Sequence, residues 1–468
     1  MALFPEAAFG PALNSVGIGQ ALRELGHEVV FLSDPGFLEV YAGYGFEAHP
    51  VHLSEPLPPD EMARFWSEFV NSQIPNFRKS PFEQIDNYVK ECWAMIVSTA
   101  RRAEQELAGI LAALEPDVVC VDNVILFPAI KRHAREHGRP WVRIISCSEN
   151  EIEDPEIPPH LSGCGENDRE CFERYRGRFQ RVIGPIHDDF NEFLRSCGEE
   201  PYPPGVFFEP SPHMNLLLYP SAVRFKRSRE LPASRFQYLE GCVRKDAPYQ
   251  VPGFESNRDQ PLLYVSYGSL GAGDVDLLQR VIAALGRLPV RALVNVGDYL
   301  ERYAAVPPNV QLARWFPQPS VIPQVDAVIH HGGNNSFTEC LYFGKPALIM
   351  PFVWDGHDNA TRVQDDGAWL QARPLRVDRG RARREDPAHA HRREDESQAR
   401  GDVETDASRA RAEQGGEDPR WTVEEEAGVA PACSREGECR RSSSRPHRIS
   451  RVRPATRGRS GTGASSRR

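Results

Sequence analysis

His330 to Glu339 reads HHGGNNSFTE, and its neighbours make it a strand, a tight turn and a helix start. The apolar run Ala327-Val328-Ile329 leads in, His331-Gly332-Gly333 bends the chain, and Ser336-Phe337-Thr338-Glu339 opens a helical pattern. Two glycines let the backbone turn sharply and approach a ligand, while the first N–H groups of the following helix lack intrahelical acceptors. Together with the helix dipole they favour an anion, most plausibly a phosphate. Upstream, ARWFPQ (Ala313 to Gln318) sets an aromatic ring and an amide beside a proline-stiffened turn, suited to covering a flat base and bonding its edge. Downstream, PFVWDGHDNA (Pro351 to Ala360) follows the strand-like ALIM and places Asp355, His357, Asp358 and Asn359 on the next loop. In an open parallel sheet such loops sit at the carboxyl ends of strands, where ligands bind.

The order W-x-P-Q, H-G-G-x-N-S-x-x-E and P-x-x-x-D-x-x-x-N-A resembles the donor-sugar signature of the UDP-glycosyltransferase superfamily, close to its bacterial macrolide and antibiotic members. The resemblance implies an α/β fold of the GT-B type, with two Rossmann-like doubly wound parallel-sheet domains facing a cleft. It implies no metal and no cofactor, only a nucleotide-diphosphate sugar as co-substrate. By that likeness Trp315 stacks on the base with Gln318 nearby, and His331, Gly332, Gly333 and the amides around Asn335 and Ser336 hold the diphosphate. Glu339 takes the ribose hydroxyls, Asp355 meets the sugar, and Ser269, in the similar S-x-G-S element, lies near the phosphates. Many relatives carry Asp-Gln where this chain has Asp355-Gly356, so one amide contact to the sugar is missing. Glu339 favours a UDP donor, since a deoxyribose offers it one hydroxyl fewer.

The amino terminus carries the second departure. Residues 2–5 read as a short strand, EAAFGPALNS as a loop, VGIGQALRELG as a helix and HEVVFLSD as a strand, the opening of a mononucleotide fold. Gly17-Ile18-Gly19 lacks the third glycine of a dinucleotide loop and fits close packing of a helix on the sheet. In the resembling family the loop reads G-H-x-x-P and its histidine is the general base. Here Gly10-Pro11-Ala12-Leu13-Asn14 puts proline in the histidine's place, and proline accepts no proton. The aspartate that would orient the histidine corresponds to Asp122, so half a dyad is present. Asp122 itself or Glu6 is the nearest substitute base, because a buried carboxylate can reach a suitable pKa. Activation of the acceptor by another route, or binding without transfer, stays open.

At 468 residues and 40% hydrophobic content the chain can bury more than one core. Its formal charge of −10 argues against a nucleic-acid partner and fits an enzyme that holds its anionic ligand locally. Ten cysteines without a paired framework or a C-x-x-C point away from disulfide scaffolds and metal clusters and toward a reducing cytoplasm. The adjacent His330 and His331 lack a third ligand at supporting spacing. No signal peptide or membrane-length apolar run is legible; DVVCVDNVILFPAI is broken by Asp122 and Asn123. The partners expected are a nucleotide sugar and a small acceptor, and a homodimer is compatible with the chain.

The domains read as 1–243 for the acceptor, 244–260 as a polar linker, and 261–367 for the nucleotide sugar, this last incomplete. The aromatic stretch from Pro50 to Arg101 either walls an apolar acceptor pocket or packs ordinarily on the sheet; Cys92, on the long helix that follows, reads as core. Glu149, Glu151 and Glu153 read as an acidic loop that is solvated or, by its position, faces the acceptor, and His187 reads as a surface or packing residue. From Ala368 to Arg468 there are 23 arginines and no lysine, and no periodicity that could bury a core. Either this is an Arg-rich disordered tail, or a shifted reading frame has replaced the end of the second domain; the second account is favoured because an essential part of the domain is lost at the same point. The function implied is transfer of a sugar to a small apolar natural product. The alternatives are a nucleotide-sugar epimerase or hydrolase, and a degenerate homologue that binds without turnover.

Overall fold

The computed structural model describes residues 1–55, 58–122, 126–254 and 259–366. Asn123, residues 255–258 of the connecting stretch and the arginine-rich tail lie outside the described residues.

Short apolar runs bounded by turn residues form two parallel sheets. The first contains β1 Ala2–Phe4, β2 Val30–Ser33, β3 Glu47–Pro50, β4 Val119–Asp122, β5 Trp141–Ile145, β6 Met214–Leu217 and β7 Phe236–Tyr238. The second contains β8 Leu262–Ser266, β9 Arg291–Asn295, β10 Val310–Ala313, β11 Ala327–His330 and β12 Ala347–Ile349. The spatial orders are β3-β2-β1-β4-β5-β6-β7 and β10-β9-β8-β11-β12, and the pairings are parallel throughout. Parallel strands are covered on both faces, which is why VCVD and ALV at 292–294 are apolar runs rather than alternations, and both are buried.

Strand order reverses between β1 and β4 in one sheet and between β8 and β11 in the other. Connections diverge at such points and leave a crevice at the carboxyl ends. Glu6 and Asp122 flank the first crevice; Gly268, Ser269 and the His331-Gly332-Gly333 turn flank the second. Pairing of His330 with Ser266 sets that turn level with the chain leaving β8.

Several sequence expectations change in the fold. Helix Phe9–Glu24 begins within the segment read as a loop, so Pro11 lies in a first helical turn, where its missing N–H costs nothing. Gly19 of this helix lies against the rings of Phe31 and Phe46. The aromatic stretch forms helices that pack: Phe77, Tyr88 and Trp93 join the core shared with β1 and β4. Arg78 reaches Asp274 after β8 with bonds of 3.1 and 2.6 Å. Cys164 and Cys171 are bonded, a pairing that no recognisable spacing announced. Glu149 and Glu151 are buried rather than solvated, and buried His187 bonds the Val206 carbonyl at 3.0 Å. No helix among the described residues is long and apolar enough to cross a membrane.

Candidate functional site

The turn after β11 is assembled from glycines and one imidazole. Gly332 has φ +93°, and a Cβ there would stand 2.5 Å from the Gly356 carbonyl oxygen. A Cβ at Gly356 would in turn meet the His331 oxygen at 2.5 Å. Gly356 is therefore the residue that lets helix Gly356–Asp366 close on the turn. The His331 ring lies between Gly268 and Gly333, where added Cβ atoms would come within 2.7 and 2.5 Å of it. Burial pushes this imidazole down to about 4, so it is neutral near pH 7, and its Nδ1 has no hydrogen-bond partner among the described residues. His330 is different: buried, its Nδ1 accepts from the Gly332 N–H at 3.0 Å and shapes the turn.

Helix Asn334–Phe343 starts at this turn. Asp355 accepts from the Asn334 N–H at 3.0 Å, taking one first-turn donor that the sequence had assigned to a phosphate. The amides of Asn335 and Ser336 remain in the turn that a helix cannot satisfy internally. The side chain of Asn334 donates to the carbonyls of Ser146 and Leu218 at 2.8 and 2.7 Å, and Asn335 donates to the Gly10 carbonyl at 3.1 Å. The signature thus binds the carboxyl ends of the first sheet directly.

One turn along, Gln318 donates to Glu339 at 2.6 Å and to the Ser336 hydroxyl at 3.1 Å. Arg244 donates to the other Glu339 oxygen at 3.2 Å. Trp315 is half exposed on the loop after β10, available to a planar ligand. Ser269 is exposed beside Gly268. Gln318, Ser336 and Glu339 therefore meet in one network, His331 and the glycines form a second group at the same helix mouth, and Asp355 belongs to the scaffold of that mouth. Among the described residues, no group of three or more His, Cys, Asp or Glu side chains is arranged to hold a metal ion.

Residues 279–402 match the family model described as erythromycin biosynthesis protein CIII-like, C-terminal domain, a match that runs past Gly367. TDP-daunosamine transferase DnrS of Streptomyces peucetius is 23% identical over 76% of this chain and 80% of its own length. Elloramycin glycosyltransferase ElmGT of Streptomyces olivaceus is 31% identical over 38% of this chain and 45% of that protein. A sterol 3-beta-glucosyltransferase of Candida albicans is 30% identical over 26% of this chain, and the matched part spans only 9% of that protein. The kitacinnamycin glycotransferase structure superposes with TM-score 0.54 at 19% identity, covering 78% of this chain and 84% of that one. Glycosyltransferase VinC in complex with DTDP gives 0.52 at 20%, covering 78% and 85%. The chain has the GT-B fold of the antibiotic glycosyltransferases.

In this GT-B chain the first-sheet side of the site is acidic. Asp122 is buried at the end of β4, beside the Glu6 segment that leaves β1. Glu151, on the loop whose position the sequence also set toward the acceptor, is 5% exposed, and neither carboxyl oxygen has a hydrogen-bond partner among the described residues. Burial pushes its carboxyl well above the usual range; Arg143 opposes the shift, and Asp122, Asp355 and Glu6 add to it. Carboxyl groups at or after strand ends of both sheets thus lie near enough to Glu151 to add to its shift. Glu149 is committed elsewhere, accepting from the Phe225 amide, Arg227 and the Tyr238 hydroxyl at 2.8, 2.9 and 2.7 Å.

Asp358 accepts from the Leu161 and Gly163 amides at 2.7 and 2.8 Å, seating its helix on the stretch between β5 and helix Arg169–Ser196. Burial raises the Asp355 carboxyl to about 7 and the Asp358 carboxyl to about 6, with Asp358 adding to the shift at Asp355. The folded protein therefore keeps these protons to higher pH than the unfolded chain. Their stabilising contribution is full below about pH 4 and is lost as the pH rises toward about 7. Asp355→Asn retains an acceptor for the Asn334 amide and removes the titration. Thermal unfolding followed from pH 4.5 to 8 should fall less steeply in this variant than in the wild type; parallel curves would contradict the assignment.

Proposed function

We propose that the chain transfers a sugar from a nucleoside-diphosphate donor to the hydroxyl of a small apolar acceptor, with residues 261–367 holding the donor and residues 1–243 the acceptor. The observation that carries this reading is the pairing, on one helix mouth, of a neutral buried imidazole with first-turn amides that have no acceptor within the helix, one turn from the Gln318–Glu339–Ser336 network. Trp315 covers the base, Glu339 and Gln318 bind the ribose, and His331 with the Asn335 and Ser336 amides binds the diphosphate. Ser269 lies at the phosphates, and Asp355 braces the mouth against the sugar.

As the acceptor oxygen attacks the anomeric carbon, the bond to the diphosphate breaks and its electron pair stays on the departing oxygen. Donors already aimed at that oxygen lower the barrier because they need no rearrangement. The hydroxyl proton goes to a carboxylate, Asp122 or Glu6, in place of the imidazole that Pro11 cannot supply. A UDP donor suits a Glu339 carboxylate that can accept from two hydroxyls, whereas DnrS is a TDP-daunosamine transferase by name and VinC is in complex with DTDP in its structure.

Incubation with labelled UDP- and TDP-sugars, with and without hydrophobic hydroxylated acceptors, tests the proposal. A glycosylated product is expected. Release of free sugar alone would indicate a hydrolase, and nucleotide binding without turnover would support the second reading, a non-catalytic homologue, which Pro11 favours. Asp122→Asn or Glu6→Gln is expected to lower kcat by about 10²–10⁴-fold. Unchanged turnover in both would eliminate them as bases.

A further inference from the structure

The polar stretch between the sheets opens on a residue that is not solvated. The Arg244 side chain is 3% exposed, and its guanidinium is divided between two anions. Nε and one terminal nitrogen donate to Asp246 at 3.0 Å each, while the other terminal nitrogen donates to Glu339 at 3.2 Å. Asp246 also accepts from the Tyr44 hydroxyl at 2.6 Å. A Cβ on Gly17 would come within 3.2 Å of the Arg244 backbone nitrogen, so the absence of a side chain there lets Arg244 lie against helix Phe9–Glu24.

We propose that Arg244 is a donor-positioning residue: its guanidinium turns the Glu339 carboxylate so that the remaining acceptor sites face the paired hydroxyls of a nucleoside-diphosphate ribose. This rests on the nucleoside-diphosphate reading given above. Each carboxylate oxygen offers about two acceptor sites. Arg244 uses one on Oε1 and Gln318 one on Oε2, leaving one on each oxygen for a vicinal diol. A deoxyribose fills only one of them. Burial pushes the Glu339 carboxyl up, and Arg244 and Gln318 oppose it. Without the guanidinium, the buried acid would keep its proton and lose one of the acceptor sites that the ribose needs.

The titratable and charged groups around Glu339 are few. Arg244 and Asp246 come from the connecting stretch, with Tyr44 on Asp246. Tyr264 of β8 and Cys340 of its own helix are both pushed upward by burial and stay neutral across the working range.

Calorimetric titration of the full chain with UDP and with TDP from pH 6 to 9 tests the inference. In Arg244→Met, the UDP-to-TDP affinity ratio is expected to fall about tenfold at pH 6 and to recover as the pH rises, while the wild-type ratio stays level; the ratio removes the titration of the terminal phosphate, with its second pKa of about 6, that both nucleotides share. TDP should lose less. Adding Glu339→Gln to Arg244→Met should abolish the pH dependence. Should Arg244→Met fail to fold, Arg244→Lys keeps the charge without the fork and should still lower the UDP-to-TDP affinity ratio. Equal weakening of UDP and TDP at every pH, or an unchanged ratio in Arg244→Lys, overturns the inference. A wild type that binds neither nucleotide overturns the donor reading, and this inference with it.

Discussion

Alanine at position 332 is expected to cost the fold about 3 kcal/mol or more, from adding a Cβ at a left-handed φ and from overpacking. The backbone there has φ +93°, and the new atom would lie 2.5 to 3.0 Å from three backbone atoms of Gly356. Backbone cannot swing aside as a side-chain tip can, so either the turn or the helix Gly356–Asp366 must move. That helix carries Asp358 and Arg362, which bond Leu161, Gly163 and Val223, so its displacement loosens contacts far from the substitution. Equilibrium urea unfolding measures the loss. A variant within about 1 kcal/mol of the wild type would show that the close approach of the two loops is not required. The same geometry predicts that restoring the family's glutamine at position 356 yields no new sugar contact unless the loops part.

The second large effect is expected at His331. His331→Ala should lower transfer by about 10²–10³-fold, the usual consequence of losing one preorganised donor to a developing oxyanion. Burial holds the ring at about 4 against a bond to the Ser266 carbonyl, so the ring is neutral near pH 7; to donate to the oxyanion it must carry its one N–H on Nδ1, and its contribution should then be level above about pH 6. Were the imidazolium the active form, the ratio of wild-type to variant rates would decline as the pH rises through neutrality. Single-turnover rates at several pH values, with diphosphate affinity measured in parallel, separate the two behaviours. A His331→Ala enzyme with unchanged rate and affinity would remove the imidazole from the proposed site.

The surroundings of His331 show how packing and chemistry share residues. Gly268 and Gly333 leave space for the ring, and either glycine replaced by alanine would push it out of the helix mouth. His330, one residue earlier, is spent on the Gly332 amide and explains why adjacent histidines need not imply a metal.

Much of this could be read along the chain. Apolar runs of strand length separated by helical periods specified parallel α/β sheets, because burial on both faces leaves no room for alternation. The glycines after Ile329 and the proline at position 11 were legible because turn geometry and a missing N–H are properties of single residues. The glutamates of the loop after β5 were misread as solvated: an acidic run carries no sign of what will cover it, and Glu151 is buried by what the fold brings over it. Asp355 shows the same limit, since its bond to the Asn334 amide depends on where two loops meet.

The chain by itself determined the alternation of strands and helices and the turn after β11, which follow from local steric and hydrophobic requirements; that a histidine is expected at position 11 is what the family resemblance implies. Tertiary structure alone decided that Arg244 meets Glu339 across 95 residues, that Gly356 is needed where its helix meets the His331 oxygen, and that Asp122, Asp355 and Glu6 raise the Glu151 carboxyl. Those outcomes depend on desolvation and interatomic distance, which arise only when remote segments are brought together.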